Sequence, residues 1–335
     1  MKDLTRGSIL GHISVMAPQI FAGMIMIMLC QLVDLYFVSY LGDAAIAGVG
    51  AAGNVGFLVN ALMQVLGVGT VALIAHAVGR KDRADANLVF NQALGLAAAG
   101  GIVTLIAGSS LARSYLSSIA ADTAVVEAGT TYLRWFMPAL ALQFAMLVMA
   151  SALRGTGIVR PTMIVQTVTV IINIVLAPVL ISGWVTGRPM GVAGAGLASS
   201  IAVAIGVVMM SIYFHRAEHY VAIHQKLWRP QLVQWKRILG IGLPAGGELA
   251  IVFVSMAVIY YALRDFGAAA QAGFGIGARL LGVVYMPAIS VAFAAGAIAG
   301  QNFGAGHNER VKETFWSVLV LATALMVAFT IFAQW

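Results

Sequence analysis

The sequence predicts an all-α, polytopic membrane protein. Of its 335 residues 61% are hydrophobic and only 9% are charged, and the mean hydropathy is +0.95. Soluble domains carry roughly 25% charge, so a single soluble catalytic domain is excluded. The charged residues also cluster between apolar runs long enough to cross a bilayer core, which takes about 20 residues per helix. The intervals between clusters predict nine spans: Ile13 to Tyr40, Ala45 to Val78, Leu88 to Ala112, Thr130 to Leu153, Thr162 to Ile181, Val192 to Phe214, Ile238 to Leu263, Ala268 to Phe303 and Phe315 to Phe332.

The first span follows MKDLTRGS, exceeds the length of a signal-peptide core and lacks a small-residue cleavage site, so it is expected to remain as an anchor. Loops alternate between the two sides, and 14 of the 19 Lys and Arg residues fall on the side that carries Lys2, Arg80, Arg160 and Arg237. Arg113, Arg134, Arg188 and Arg264 fall on the other side, and Arg279 lies within a span. The positive-inside rule therefore predicts a cytoplasmic N-terminus. The net charge of +7 is spread over short loops, and no compact basic domain exists to hold nucleic acid.

The same reading excludes several chemistries. Cys30 is the one cysteine, so neither a disulfide framework nor a multi-cysteine metal site is available. His215, His219 and His224 share one basic loop without the spacing of a metal site. Gly191, Gly194 and Gly196 open a membrane helix rather than follow a strand, so they do not form a dinucleotide fingerprint. The sequence contains neither a P-loop nor HExxH, which removes ATP-driven transport and metalloprotease chemistry and leaves no resident cofactor to expect.

Self-comparison predicts an internal repeat. AIAGVGAAGNV from Ala45 aligns with AQAGFGIGARL from Ala270, at an offset of 225. At the same offset ALIAHAVGRKDRADAN from Ala72 meets AIAGQNFGAGHNERVK from Ala297, so Gly79 coincides with Gly304. Pro18 meets Pro244 after a one-residue gap. Six spans separate the two starts, so both units enter the membrane from the same side, as parallel repeats do. The expected domains are a six-helix lobe over residues 1–225 and the first three helices of a second lobe over 226–335. Nine of twelve expected helices would then be present, with the second repeat incomplete.

Polar residues within the spans are the candidate site. Asp34, in MLCQLVDLYFVSY, would cost about 2.5 to 3.5 kcal/mol or more if charged and facing lipid, so it is expected to face protein or water and to change its proton occupancy with access to either side of the membrane. Glu248 follows Pro244 near the start of the seventh span, and Arg279 lies in the eighth; both are cavity candidates, as are Gln143 and Gln166. Asn173 and other amides within spans serve most often as interhelical hydrogen-bonding groups. Pro18, Pro138, Pro178, Pro244 and Pro287 are expected to bend their helices.

The chain resembles the multidrug and toxin extrusion (MATE) transporters, including their NorM-like and DinF-like branches. The resemblance rests on VDLYFVSYLGDAAIAGVG, the loop at Gly79-Arg80-Lys81-Asp82, ALRGTGIVRPTM, INIVLAP, GVAGAGLASSIA, GLPAGGE and GQNFGAG, in that order. It implies a multi-pass protein of the bacterial inner membrane. The implied activity is antiport of cationic amphiphilic compounds against a proton or sodium ion, by alternating access between two lobes. It further implies that Asp34 couples the cation together with Tyr132 and Asn173. Ala177 stands where many members carry an aspartate, leaving Asp34 as the lone acid of that lobe. Phe253 stands where some sodium-coupled members carry a glutamate, and Glu248 does not inherit that role. Related lipid-linked oligosaccharide flippases, or an inactive membrane scaffold, are the alternatives.

Overall fold

In the computed structural model the described residues are almost all helical. The structure describes all residues except 121, 185, 186, 188, 217–219, 267 and 333–335, and except the side chains of 253, 257, 260, 264, 265, 268, 269, 271, 272, 276, 279 and 332. Nine long helices lie among the described residues: α1 (Ile9–Ser39), α2 (Asp43–Gly79), α3 (Arg83–Ile119), α4 (Thr123–Gly155), α5 (Arg160–Ser182), α6 (Val192–Arg216), α7 (Leu232–Ala262), α8 (Ala268–Gly304) and α9 (Asn308–Phe332). Each is long and apolar enough to cross a membrane, at least over most of its length.

The helices match the nine expected spans but run past the charge clusters that bounded them. α3 starts at Arg83 rather than Leu88, α4 at Thr123 rather than Thr130, α7 at Leu232 rather than Ile238 and α9 at Asn308 rather than Phe315. Charge ends a hydrophobic run without ending a helix. The carboxylate of Asp82 accepts from the amide of Asp85 at 2.9 Å, and that of Asp122 accepts from Ala124 at 2.9 Å, so both helices are capped outside the apolar core. With 37 residues each, α2, α3 and α8 extend about 55 Å, well beyond a hydrocarbon core of about 30 Å.

The largest buried cluster draws on α2, α3, α4 and α6, with Phe90 and Phe214 stacked at its centre. A second cluster joins Leu4 and the first half of α1 to Val291, Ala294, Ala297 and Ile298 of α8. Between α2 and α8 the backbones nearly touch. A Cβ at Gly79 would overlap the carbonyl oxygen of Gln301, and a Cβ at Gly304 would overlap that of His76. Only residues without a side chain allow this approach, the usual device for packing helices where lipid offers no hydrophobic drive. The outer faces of α7 and α9 carry exposed apolar residues such as Ile251 and Val320.

Two segments outside the spans are tightly bound. The connection from α6 to α7 lies along the first turns of α3. Asn87 Nδ2 donates to the Tyr220 carbonyl at 3.0 Å and its Oδ1 accepts from Ala222 N at 2.8 Å. Asn91 Nδ2 donates to the Ala222 carbonyl at 2.9 Å, while its Oδ1 accepts from His224 N at 2.8 Å and Trp228 Nε1 at 3.1 Å. Gln92 donates to the carbonyls of Leu227 and Arg229 and accepts from Gln231 N. Asp85 adds a two-pronged ion pair to Arg237 of α7, at 2.9 and 3.1 Å. At the other strap, Leu4 N donates to Gln301 Oε1 at 2.9 Å and Asn302 Nδ2 donates to the Leu4 carbonyl at 3.1 Å.

Asn91 is fully buried, so Asn91→Ala strands several backbone groups, each at a cost of about 1–3 kcal/mol. Trypsin is expected to cleave after Lys226 roughly tenfold faster or more in that variant. An unchanged cleavage rate would show that the strap is held by other means.

Candidate functional site

The site forms where α1, α5 and α6 meet. α1 and α5 run side by side at a constant sequence difference. Gly23 faces the Gln166 side-chain oxygen at 4.0 Å from its would-be Cβ, and seven residues on in both helices Cys30 Sγ lies 3.2 Å from the Asn173 side chain. One turn further along α1 stands Asp34. The Asn173 amide meets both its neighbours when its NH₂ donates to Asp34 Oδ1 at 2.9 Å and its oxygen accepts from Ser199 N at 3.3 Å and Ser199 Oγ at 3.0 Å. That orientation is assigned from the hydrogen-bond network, because a carboxylate can only accept. Ser199 Oγ also lies 3.5 Å from Asp34 Oδ2. Asp34 is half-buried, and Asn173 is 2% exposed.

The glycines of α6 bring Ser199 into place. A Cβ at Gly194 would fall 2.6 Å from the Leu180 carbonyl of α5, and one at Gly196 would fall 2.7 Å from the Tyr132 carbonyl of α4. The GVAGAGLASS run is therefore a packing surface against two helices at once, which explains glycines that bind no nucleotide. Next to Ser199, Ser200 Oγ accepts from Ala139 N at 3.2 Å and donates to the Trp135 carbonyl at 2.5 Å. Ala139 follows Pro138, and its amide would ordinarily donate to Trp135 itself. The hydroxyl has entered the α4 ladder at the proline, a recognised cause of helix bending. Ser200→Ala removes the bridge, and the Ala139 amide and Trp135 carbonyl can then pair directly only if α4 straightens against its neighbours, so a loss of up to roughly 1–3 kcal/mol is expected. A lowered midpoint of thermal unfolding in detergent checks it; a Ser200→Thr variant, which keeps the hydroxyl, controls for lost side-chain bonding.

The structure places the other sequence candidates as follows. Tyr132 is 8% exposed, and its ring stacks on Phe136 at 5.0 Å; no hydrogen bond links it to Asp34 among the described residues. Gln166 shares the α1–α5 seam with Asn173. Gln143 is half-buried on α4, and Glu248 is exposed on α7. The Arg279 side chain lies outside the described residues, as do His219 and the side chain of Phe253. Sequence reasoning missed Ser199, Cys30 as a neighbour of Asn173, and Arg154. Arg154, read from sequence as a loop residue, ends α4 inside the bundle: its Nη2 donates to Ser151 Oγ at 3.0 Å, its guanidinium lies 5.1 Å over the Phe293 ring, and its Nε has no partner. Among the described residues no group of three or more His, Cys, Asp or Glu side chains is placed to hold a metal ion.

Nine apolar helices with an acid, an amide and a hydroxyl gathered inside them define a multi-pass membrane protein with an ionisable cluster within its bundle. The chain belongs to the MatE family, whose model matches residues 20–179 and 244–335. This is a family of multidrug resistance and related transporters rather than of enzymes.

The chain is 26% identical over 313 residues to the probable multidrug resistance protein YoeA of Bacillus subtilis, covering 91% of this chain and 67% of that protein. It is 25% identical over 320 residues to an FAD transporter of Shewanella oneidensis, covering 93% and 70%. It superposes with a TM-score of 0.89 on a MOP superfamily transporter of Pyrococcus furiosus, at 25% identity, covering 98% of this chain and 72% of that one. That transporter is described as having a binding pocket of reverse polarity that suggests a different function. The chain thus spans between two thirds and three quarters of the length of these three proteins.

Proposed function

We propose that this chain exports cationic amphiphilic compounds in exchange for a proton or sodium ion, by alternating access between two lobes, residues 1–225 and 226–335. The observation that carries the reading is the cluster of Asp34, Asn173 and Ser199 inside the bundle. A carboxylate there needs a cation or a proton, and its two hydrogen-bonding neighbours can re-pair when the proton arrives. Asp34 would bind the coupling ion from outside, the lobes would exchange their opening, and the ion would leave to the cytoplasm, with the N-terminus on that side. Three kinds of oxygen donor, carboxylate, amide and hydroxyl, suit a hard cation as well as a proton.

Tyr132 and Asn173 complete the coupling site in this reading, while Gln143, Gln166, Glu248 and Arg279 are candidates to line the substrate path. The drug substrate follows from relatives named as multidrug resistance proteins; the relative named as an FAD transporter marks the family's range. A flippase for lipid-linked sugars would instead need cations gathered at its centre to hold a pyrophosphate. Ethidium accumulation in efflux-deficient bacteria tests the proposal. Cells making the chain are expected to hold less dye than cells with empty vector, and collapse of the proton or of the sodium gradient identifies the ion. Equal dye content with and without the chain defeats the reading.

A further inference from the structure

At the end of the α1–α5 seam opposite Asp34, a cavity of about 200 Å³ opens beside the first turn of α5. Lys2 and Arg160 supply its charge, Gln19 a polar wall, and Val15, Met16 and Ile158 an apolar one. No acidic side chain lines it. Among the described residues neither the Lys2 ammonium nor the Arg160 guanidinium pairs with another side chain. The nearby carboxylate of Asp3 is already engaged, accepting from Thr5 N at 2.9 Å and Thr5 Oγ1 at 2.6 Å. Those bonds, with Arg6 and Lys81 nearby, hold its pKa below the usual carboxylate value.

The position of Lys2 is built rather than accidental. Lys2 N donates to the Thr156 carbonyl at 2.8 Å, and Leu4, fully buried, is strapped through its own amide and carbonyl to Gln301 and Asn302. Gly157 adopts φ +78 beneath it, and a Cβ there would lie 2.9 Å from the Lys2 carbonyl. Beside the cavity the helix surfaces are apolar and open: Val15 is 48% exposed, and Ile164, one turn beyond Arg160, is 45% exposed. Two cations, one of them on an anchored backbone, thus stand over an apolar groove at the level where a membrane helix begins.

We infer that this cavity is a binding site for an anionic phospholipid. Its phosphate lies between Lys2 and Arg160, and an acyl chain descends along Val15 and Ile164. Basic pockets between helices at the membrane surface recognise such headgroups, each cation contributing about fivefold in affinity. The lipid would wedge α1 against α5, at the foot of the seam that holds Asn173 and Asp34.

The full chain in detergent, given equimolar phosphatidylglycerol and phosphatidylcholine, is examined by native mass spectrometry. Wild type is expected to retain phosphatidylglycerol in preference, and Lys2→Gln with Arg160→Gln to lose that preference by roughly tenfold or more. The charge-conserving Lys2→Arg is expected to keep it, and so is a control pair, Lys226→Gln with Arg229→Gln, on another loop. Equal retention of the two lipids by wild type, or an equal loss in the control pair, overturns the proposal. Displacement of the lipid by glycerol 1-phosphate at equal concentration also overturns it, because the ligand is then a soluble phosphate. The readout does not depend on transport, so the two proposals stand or fall separately.

Discussion

Bacteria producing Asp34→Asn are expected to accumulate ethidium to the level of cells with no transporter, at an unchanged amount of protein in the membrane. Asparagine matches aspartate in shape and can still bond to Asn173 and Ser199, so the helices should pack as before. What it cannot do is change its charge. One charge moved across 100 mV is worth about 2.3 kcal/mol, roughly a 50-fold concentration ratio. Removing the group that carries the charge should remove that concentrating power while leaving dye exchange without a gradient in place. Accumulation equal to wild type would exclude Asp34 from coupling. Ser199→Ala should fall between the two, since it removes one of the two polar groups gathered on Asp34.

The second large effect concerns the α2–α8 contact. Gly79→Ala and Gly304→Ala each place a methyl group into a backbone carbonyl of the opposite helix. A backbone cannot rotate aside as a side chain does, so the helices must separate, at a cost of about 1–3 kcal/mol or more for each substitution. The midpoint of thermal unfolding in detergent should drop by several degrees in either variant. Gly50→Ala in α2 and Gly282→Ala in α8 have nothing within 4 Å of the added carbon and should leave it unchanged or slightly raised, since alanine favours helix. Equal midpoints for all four variants would show that the close approach does not hold the helices together.

Much of this was legible in the sequence because lipid leaves little freedom. Clusters such as Arg80-Lys81-Asp82-Arg83 marked the ends of spans, and a lone carboxylate in an apolar run marked Asp34. The repeat offset aligned Gly79 with Gly304, yet periodicity says only that two positions correspond, not that they touch. Ser199 and Ser200 stayed hidden because serine in a run of Gly and Ala reads as packing, and what each does depends on a partner helix. The amides Asn87, Asn91 and Gln92 were hidden for a related reason. They fall at the polar start of an apolar run, and their partners are backbone groups more than 130 residues away, which no side-chain pattern records. Arg154 was misplaced because the α4 helix carries its charge inside the bundle, where Phe293 covers it.

The strap from α6 to α7 bears on how force travels through the molecule. A slack tether would let α7 swing freely, storing no information about where α3 stands. Here the chain from Tyr220 to Gln231 is bonded at every second or third peptide group to one face of α3, and the Asp85–Arg237 pair fastens α7 to the same helix. The strap has no spare length to give. Tilting α7 must therefore either turn α3 with it, as meshed gears do, or pivot at the first unfastened peptide after Gln231.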